Sequence, residues 1–195
     1  MDIINESSGF SKSRIDELNL PTTRSDAEII LQNAGYESLG GGSYGAVFQK
    51  ENAPYVLKLF TCLDTGYIEF VKLAQSHPNT HFPKFFGKLI KVTPTYYAVR
   101  MERLEPCQNA MPISTMLQRY LLHRDGMEKY TANPDYRKKL EAAIAFVNEN
   151  PSLKTACDLI IDNIINDEIW PDMSNPANLM MRRNTIVLSD PVSPR

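Results

Sequence analysis

The stretch Leu39-Gly-Gly-Gly-Ser-Tyr-Gly-Ala-Val-Phe48 places Gly40, Gly41, Gly42 and Gly45 around a short tip, Ser43-Tyr44. Without a Cβ at those positions the main chain can run as strand, turn and strand and bring its N–H groups close to an anion such as a phosphate. The same composition suits an ordinary glycine-rich turn in a β-hairpin, and the stretch alone does not separate the two. What separates them is whether the other parts of a nucleotide site follow in order.

The chain has 195 residues, 43% of them hydrophobic, enough to bury a core as one domain or as two small lobes. Its formal net charge of -2 declares neither a polyanion-binding field nor an acidic tail, so nucleic acid is not an expected partner. Cys62, Cys107 and Cys157 are odd in number and far apart, matching neither a disulfide framework nor a Cys-x-x-Cys spacing. The opening Met-Asp-Ile-Ile-Asn-Glu lacks a secretory signal pattern, and no apolar run approaches membrane-spanning length. These features set the expectation of a monomer without membrane association, working in a cytoplasm, that of a host cell if the protein is delivered there.

Residues 1–24 are polar and Ser-rich and read as a loosely held arm. A helix is expected from an N-cap at Ser25, with Glu28 three residues on, to a stop at Gly35. Tyr36–Leu39 and Ala46–Lys50 flank the glycine stretch as a hairpin, and Tyr55–Phe60 is the next strand. Residues 66–75 suit a short helix. Phe82–Phe86 and Lys88–Val92 read as a turn-linked strand pair, and Tyr96–Glu102 as the last strand before a composition shift at Arg103-Leu104-Glu105-Pro106. Beyond it the periodicity turns helical, over Pro112–His123 and after Asn133-Pro134 and Asn150-Pro151, each an N-cap followed by proline. The apolar stripe Leu153, Ala156, Cys157, Ile160, Ile161, Ile164 and Ile165 marks a core-packing helix.

Lys58 stands inside an otherwise apolar strand, which is costly unless something anionic meets its head group, or unless the strand is an edge. Glu69 is a candidate partner. His77 and His81 are four apart, but Pro78 breaks the helical face they would need to share as metal ligands, so loop histidines are expected. Near the end of the chain come Asp172, Asn178 and Asp190. A hairpin through Arg182-Arg183-Asn184 brings Asn178 and Asp190 together. Two oxygen ligands beside nucleotide phosphates suit magnesium, and Asp172 can accept a hydrogen bond from an attacking hydroxyl.

In this order the motifs resemble the protein-kinase-like fold over Leu39 to Asp190. Gly40-x-Gly42-x-x-Gly45-x-Val47 matches the kinase glycine loop, Lys58 follows at the distance of the phosphate-contacting lysine, and Glu69 would be its anchoring carboxylate, on a helix that ends in His77-Pro78-Asn79. Within the fold the chain is similar to early host-takeover serine/threonine kinases of short-tailed phages, through Ala34-Gly35-Tyr36, Asp172-Met173 and Asp190-Pro191-Val192-Ser193. Minimal injected kinases of bacterial pathogens have a comparably small catalytic lobe. The resemblance implies ATP and magnesium, nucleotide contacts from Gly40, Gly41, Gly42, Ser43, Tyr44, Gly45 and Val47, adenine contacts from Met101, Glu102 and Leu104, and catalysis by Lys58 and Asp172 with Asn178 and Asp190 on the metal. His123-Arg124-Asp125 is a decoy for the catalytic loop, since Tyr130 stands where an asparagine belongs.

Three departures accompany the resemblance. Asp172 and Asn178 are six residues apart where the family has five, so either the loop bulges or Asn175 shares the role. Trp170-Pro171 replaces His-Arg, and only five residues follow Asp190. Activity is therefore expected not to depend on loop phosphorylation, with Pro191 and Val192 holding Asp190 in an extended conformation. The expected fold class is α+β, a bilobal kinase-like fold with an antiparallel β-sheet N-lobe over 25–102 and a truncated helical C-lobe over 103–195. The expected function is transfer of the ATP γ-phosphate to Ser/Thr hydroxyls of a docked, folded host protein. A pseudokinase serving as a nucleotide-gated binding module is the alternative.

Overall fold

The computed structural model describes residues 23–123, 133–166 and 168–194. Most of the arm at 1–24 lies outside the described residues, as do Arg124 and Asp125 of the decoy triplet. The chain is α+β and divides into two compact units, Met1–Asp64 with Lys84–Arg103 and Thr65–Pro83 with Leu104–Arg195. The α+β class is the one expected from the sequence.

The first unit is a five-stranded antiparallel sheet with a helix on one face. Helix α1 (Arg24–Asn33) starts at Thr23, whose side chain accepts from the Asp26 N–H, so the cap lies two residues before the Ser25 expected from sequence. It stops at Gly35, whose φ of +83° suits a residue without a side chain. Strands β1 (Tyr36–Gly41), β2 (Gly45–Lys50), β3 (Tyr55–Thr61), β4 (Phe85–Lys91) and β5 (Tyr96–Glu102) then form a sheet in the order β1-β2-β3-β5-β4. The strand pair expected over 82–92 is one bulged strand. Gly87, at φ +74°, lets β4 kink without breaking, and both halves pair with β5, Phe85 opposite Met101 and Lys91 opposite Tyr97.

The period of two along each strand sorts this sheet into two faces. Phe48, Leu57, Leu59 and Ala98 join Ala27 and Leu31 of α1 in one core cluster. The opposite face presents Val47, Lys58 and Val99 side by side, because Lys58 pairs with Val47 on one flank and Val99 on the other. The interior strand β3 is flanked on both sides, so the edge-strand explanation for Lys58 does not hold.

The second unit carries helices α2 (Thr65–Ser76), α3 (Ala110–His123), α4 (Pro134–Asn148) and α5 (Pro151–Asn163), capped at α4 and α5 by Asn133 and Asn150 as the Asn-Pro pairs predict. Short strands β6 (Glu105–Pro106), β7 (Ile169–Pro171), β8 (Leu179–Arg182), β9 (Thr185–Leu188) and β10 (Val192–Pro194) make two small ladders, β6-β8-β9 and β7-β10. Helix α2, expected within the 25–102 lobe, groups with this unit because its apolar face packs here. Phe70 meets Phe82 edge-on at 5.4 Å, and a Cβ added at Gly66 would come within 3.2 Å of Ile169 in β7. Cys157 is fully buried in α5 and burial pushes its thiol up to about 12, as expected of a core cysteine without chemistry. Among the described residues no helix is long and apolar enough to cross a membrane.

The glycine hairpin makes the sheet's stability testable. A Cβ on Gly45 would lie 2.4 Å from the Leu59 carbonyl oxygen, whereas one on Gly42 would meet nothing within 4 Å. Gly45→Ala is therefore expected to cost about 1–3 kcal/mol in urea denaturation, as overpacking against backbone does. Gly42→Ala is expected to stay within about 0.5 kcal/mol of wild type.

Candidate functional site

The first unit gathers the residues predicted for nucleotide contact. The loop between β1 and β2 is closed by the Gly42 N–H donating to Gly45 O at 2.9 Å, and it is fixed to β3 by the Thr61 N–H donating to Tyr44 O at 2.8 Å. Gly40, at φ +142°, sits at a register shift in the hairpin, where Leu39 bulges out. Tyr44 is exposed at the tip. Sequence reasoning missed Arg24, whose guanidinium donates to the Gly42 carbonyl and pairs with Glu28 at 2.6 Å, tying the loop to the start of α1. Its only sequence signal was a basic residue beside an acidic one four positions on.

Lys58 is only 9% exposed, and Met101, opposite Val56, lies on the same face of the sheet. Glu102 closes β5, its carboxylate accepting from the Lys84 N–H at 2.7 Å. Leu104 is half-buried and belongs to the second unit. Ala34-Gly35-Tyr36 has a structural explanation: Ala34 O accepts from Lys50 Nζ at 3.0 Å, and that ammonium lies over the Tyr36 ring.

Glu69, expected from the resemblance to anchor Lys58, belongs to α2 of the second unit. It lies on the exposed face of α2, with a side chain 47% exposed, and its Oε1 accepts from Lys72 Nζ of the same helix at 2.7 Å. The apolar positions 67, 70, 71 and 74 all turn inward, and the helical period leaves position 69 outside.

The second unit brings Asp172, Asn178 and Asp190 together through main-chain bonds. β7 and β10 pair with Pro171 opposite Val192, and one further bond extends the ladder, the Asp172 N–H donating to Pro191 O at 2.8 Å. β8 and β9 pair with Leu179 opposite Leu188, and the Ser189 N–H and Oγ both donate to Asn178 O at 2.9 Å. Asp190 therefore sits between two anchored neighbours, Ser189 held by Asn178 and Pro191 held by Asp172. Its Oδ1 is shielded from solvent. Ser189 and Asp190 form a bend between β9 and β10, and no residue from 189 to 193 has a positive φ.

The extra residue between Asp172 and Asn178 goes into a 3₁₀ turn, Pro176–Asn178. Asn175 caps that turn by accepting from the Ala177 N–H at 3.1 Å, so its side chain is not directed to Asp172. Asn178 alone makes that link, its Nδ2 donating to Asp172 O at 2.6 Å and to Asp172 Oδ2 at 3.1 Å. With the amide nitrogen so used, Oδ1 of Asn178 is the remaining acceptor. Among the described residues no three His, Cys, Asp or Glu side chains form a cation cage. One amide oxygen and the Asp190 carboxylate form a hard-oxygen donor set that fits magnesium, which takes few protein ligands.

The loop after α2 steadies this region. Arg182 donates to Thr80 O at 2.7 Å and to Phe82 O at 2.8 Å, and the Leu188 N–H donates to His81 O at 2.9 Å. His81 Nδ1 lies 2.7 Å from Ile186 O and Nε2 lies 2.9 Å from Ser152 Oγ, so the loop histidine is a buried structural strut.

No family model matches the sequence, and no curated protein matches it. Among solved structures, the kinase PK-1 of Cydia pomonella granulovirus aligns with a TM-score of 0.42 at 13% identity, over 85% of this chain and 57% of that one. The aminoglycoside phosphotransferase APH(4)-Ia aligns with a TM-score of 0.34 at 15% identity, over 51% of this chain and 36% of that one. The chain thus spans less than two thirds of the length of either.

Two outcomes follow from the geometry. Asn178→Ala leaves Asp172 O without its donor and is expected to cost about 1–3 kcal/mol in urea denaturation. Asn175→Ala loses only a cap, at about 0.5–1 kcal/mol. Burial holds the His81 imidazole below its ordinary 6.5, against the opposing effect of its bond to Ile186. The unfolded chain therefore takes up this proton first as the pH falls, so the contribution is complete above 6.5 and declines below it. The urea midpoint should drop between about pH 7 and about pH 5, and His81→Gln should flatten that slope.

Proposed function

We propose that this chain is a phosphotransferase that uses ATP and magnesium to phosphorylate Ser or Thr hydroxyls of a protein, with a folded host protein as the expected class of partner. The observation that carries the reading is the fastening of Asp172, Asn178 and Asp190 by backbone bonds on both sides of Asp190. A carboxylate positioned beside two oxygen donors is what in-line transfer to a hydroxyl needs, since catalysis there is mostly positioning and charge stabilisation.

The first unit supports the reading with the sheet face that carries Val47, Lys58 and Met101, next to a glycine loop held by main-chain bonds. Val47 and Met101 give the apolar surface an adenine ring requires, and Lys58 gives a cation for phosphate oxygens. Magnesium, when bound, would be held by Asn178 Oδ1 and the Asp190 carboxylate and would neutralise phosphate charge. Asp172 accepts the hydrogen bond of the incoming hydroxyl and orients its oxygen.

The alternative, a nucleotide-gated binding module, drew on the six-residue spacing, which the 3₁₀ turn accommodates while Asn178 keeps its bond to Asp172. Incubating the protein in host-type lysate with γ-labelled and, separately, α-labelled ATP distinguishes the two. Label is expected from the γ position only, falling by about 100-fold or more in Lys58→Ala, Asp172→Ala and Asp190→Ala. Magnesium-dependent ATP binding with no label from either position would establish the binding module instead. Protein made in a kinase-free host should be active without prior phosphorylation, and dependence on a second kinase would refute that part.

A further inference from the structure

Helix α3 turns a polar pair, Ser114 and Gln118, onto the face that also buries Leu117 and Leu121. Four residues apart, the two side chains stand one above the other on the helix. Both are spent on the segment around Asp172. Gln118 Nε2 donates to Pro171 O at 3.0 Å, Gln118 Oε1 accepts from the Met173 N–H at 2.7 Å, and the Ser114 hydroxyl, wholly buried, donates to Met173 O.

With these bonds every main-chain polar group from Pro171 to Met173 has a partner. Proline has no N–H, Asp172 N donates to Pro191 O, and Asp172 O accepts from Asn178. Met173 itself is fully buried and anchors the segment on its far side. The segment is thus held from both flanks of Asp172, while Asn178 Nδ2, at 3.1 Å from Oδ2, and Ser174 Oγ, at 3.5 Å from Oδ1, hold the carboxylate itself. The requirement at position 118 is specific. The side chain must donate at one end and accept at the other, which an amide does and neither a carboxylate nor a hydrocarbon can.

We propose that Gln118, assisted by Ser114, is a positioning residue for Asp172: α3 sets the place and direction of the catalytic carboxylate by gripping the peptide groups on either side of it. The proposal rests on the phosphotransfer reading above. Gln118 touches neither nucleotide nor acceptor in this account, so its loss is felt in kcat and not in nucleotide affinity.

The experiment compares wild type with Gln118→Met, Gln118→Glu and Ser114→Ala in γ-phosphate transfer to the labelled protein, recording kcat and the KM for ATP. Urea midpoint and hydrogen exchange of the Met173 amide are measured alongside. Gln118→Met, close in shape but without either bond, should lower kcat by about 30- to 100-fold with KM for ATP within about two-fold, as a small misplacement of a catalytic group does. The Met173 amide should exchange faster. Gln118→Glu keeps the acceptor for Met173 and should fall between the two. If Gln118→Met does not fold, Gln118→Glu and Ser114→Ala decide, and wild-type kcat in both overturns the proposal. An active wild type with unchanged kcat in a folded Gln118→Met overturns this inference and leaves the phosphotransfer reading standing. A wild type that transfers no phosphate overturns the phosphotransfer reading, and the catalytic role of Gln118 with it.

Discussion

The bond from the Asp172 N–H to Pro191 O, 2.8 Å long, is the constraint on which the arrangement of the second unit depends. It extends the β7-β10 ladder by one step and so brings a loop carboxylate against the residue that follows Asp190. The neighbouring β8-β9 hairpin does the corresponding work on the other side, through Ser189 and Asn178. Two three- or four-residue strand pairs are marginal structures alone. Here they persist because helices α2 and α3 pack on them. Gly66 lets α2 approach the side chains of Ile169 and Val192 and the Ser193 backbone, and α3 bonds the turn between the ladders through Ser114 and Gln118.

The first unit solves a different problem, that of carrying a buried cation in an interior strand. Its sheet commits one face to an apolar cluster with α1, so packing is secured without Lys58. The other face is left for Val47, Lys58, Val99 and Met101, and the glycine loop leads into β2, the strand that carries Val47. Arg24 and the Thr61 N–H both hold carbonyls of that loop, so part of its order comes from outside the hairpin. A glycine-rich turn loses much conformational freedom on ordering, and these tethers offset some of that cost.

Buried polar side chains serve the scaffold in separate ways. His81 and Ser114 are buried because their hydrogen bonds hold main-chain groups that no strand partner reaches. Asn178 is buried with its amide nitrogen donating to Asp172. Cys157 is buried for packing alone. Such cases look alike in sequence, as single polar residues in apolar surroundings, and only their partners tell them apart.

What the sequence determined by itself was whatever depends on local periodicity and on turn or cap chemistry. The glycine hairpin, strand Tyr96–Glu102, the Asn-Pro helix starts and the hairpin through Arg182-Arg183-Asn184 follow from neighbours within a few residues. The placement of Lys58 in an apolar strand was legible for the same reason, whereas the interior position of that strand came from the sheet order β1-β2-β3-β5-β4. The tertiary structure alone decided the rest. Helical phase turned Glu69 to the exposed face of α2 beside Lys72, while Phe70 and Gly66 drew α2 into the second unit. Whether Asn175 would share the role given to Asn178 was open until a 3₁₀ turn used Asn175 as its cap. Ser114 and Gln118 read as unremarkable helix residues, since their partners lie more than fifty positions away. Contacts across such separations arise from packing that no short window encodes, and in this chain they hold Asp172 in place.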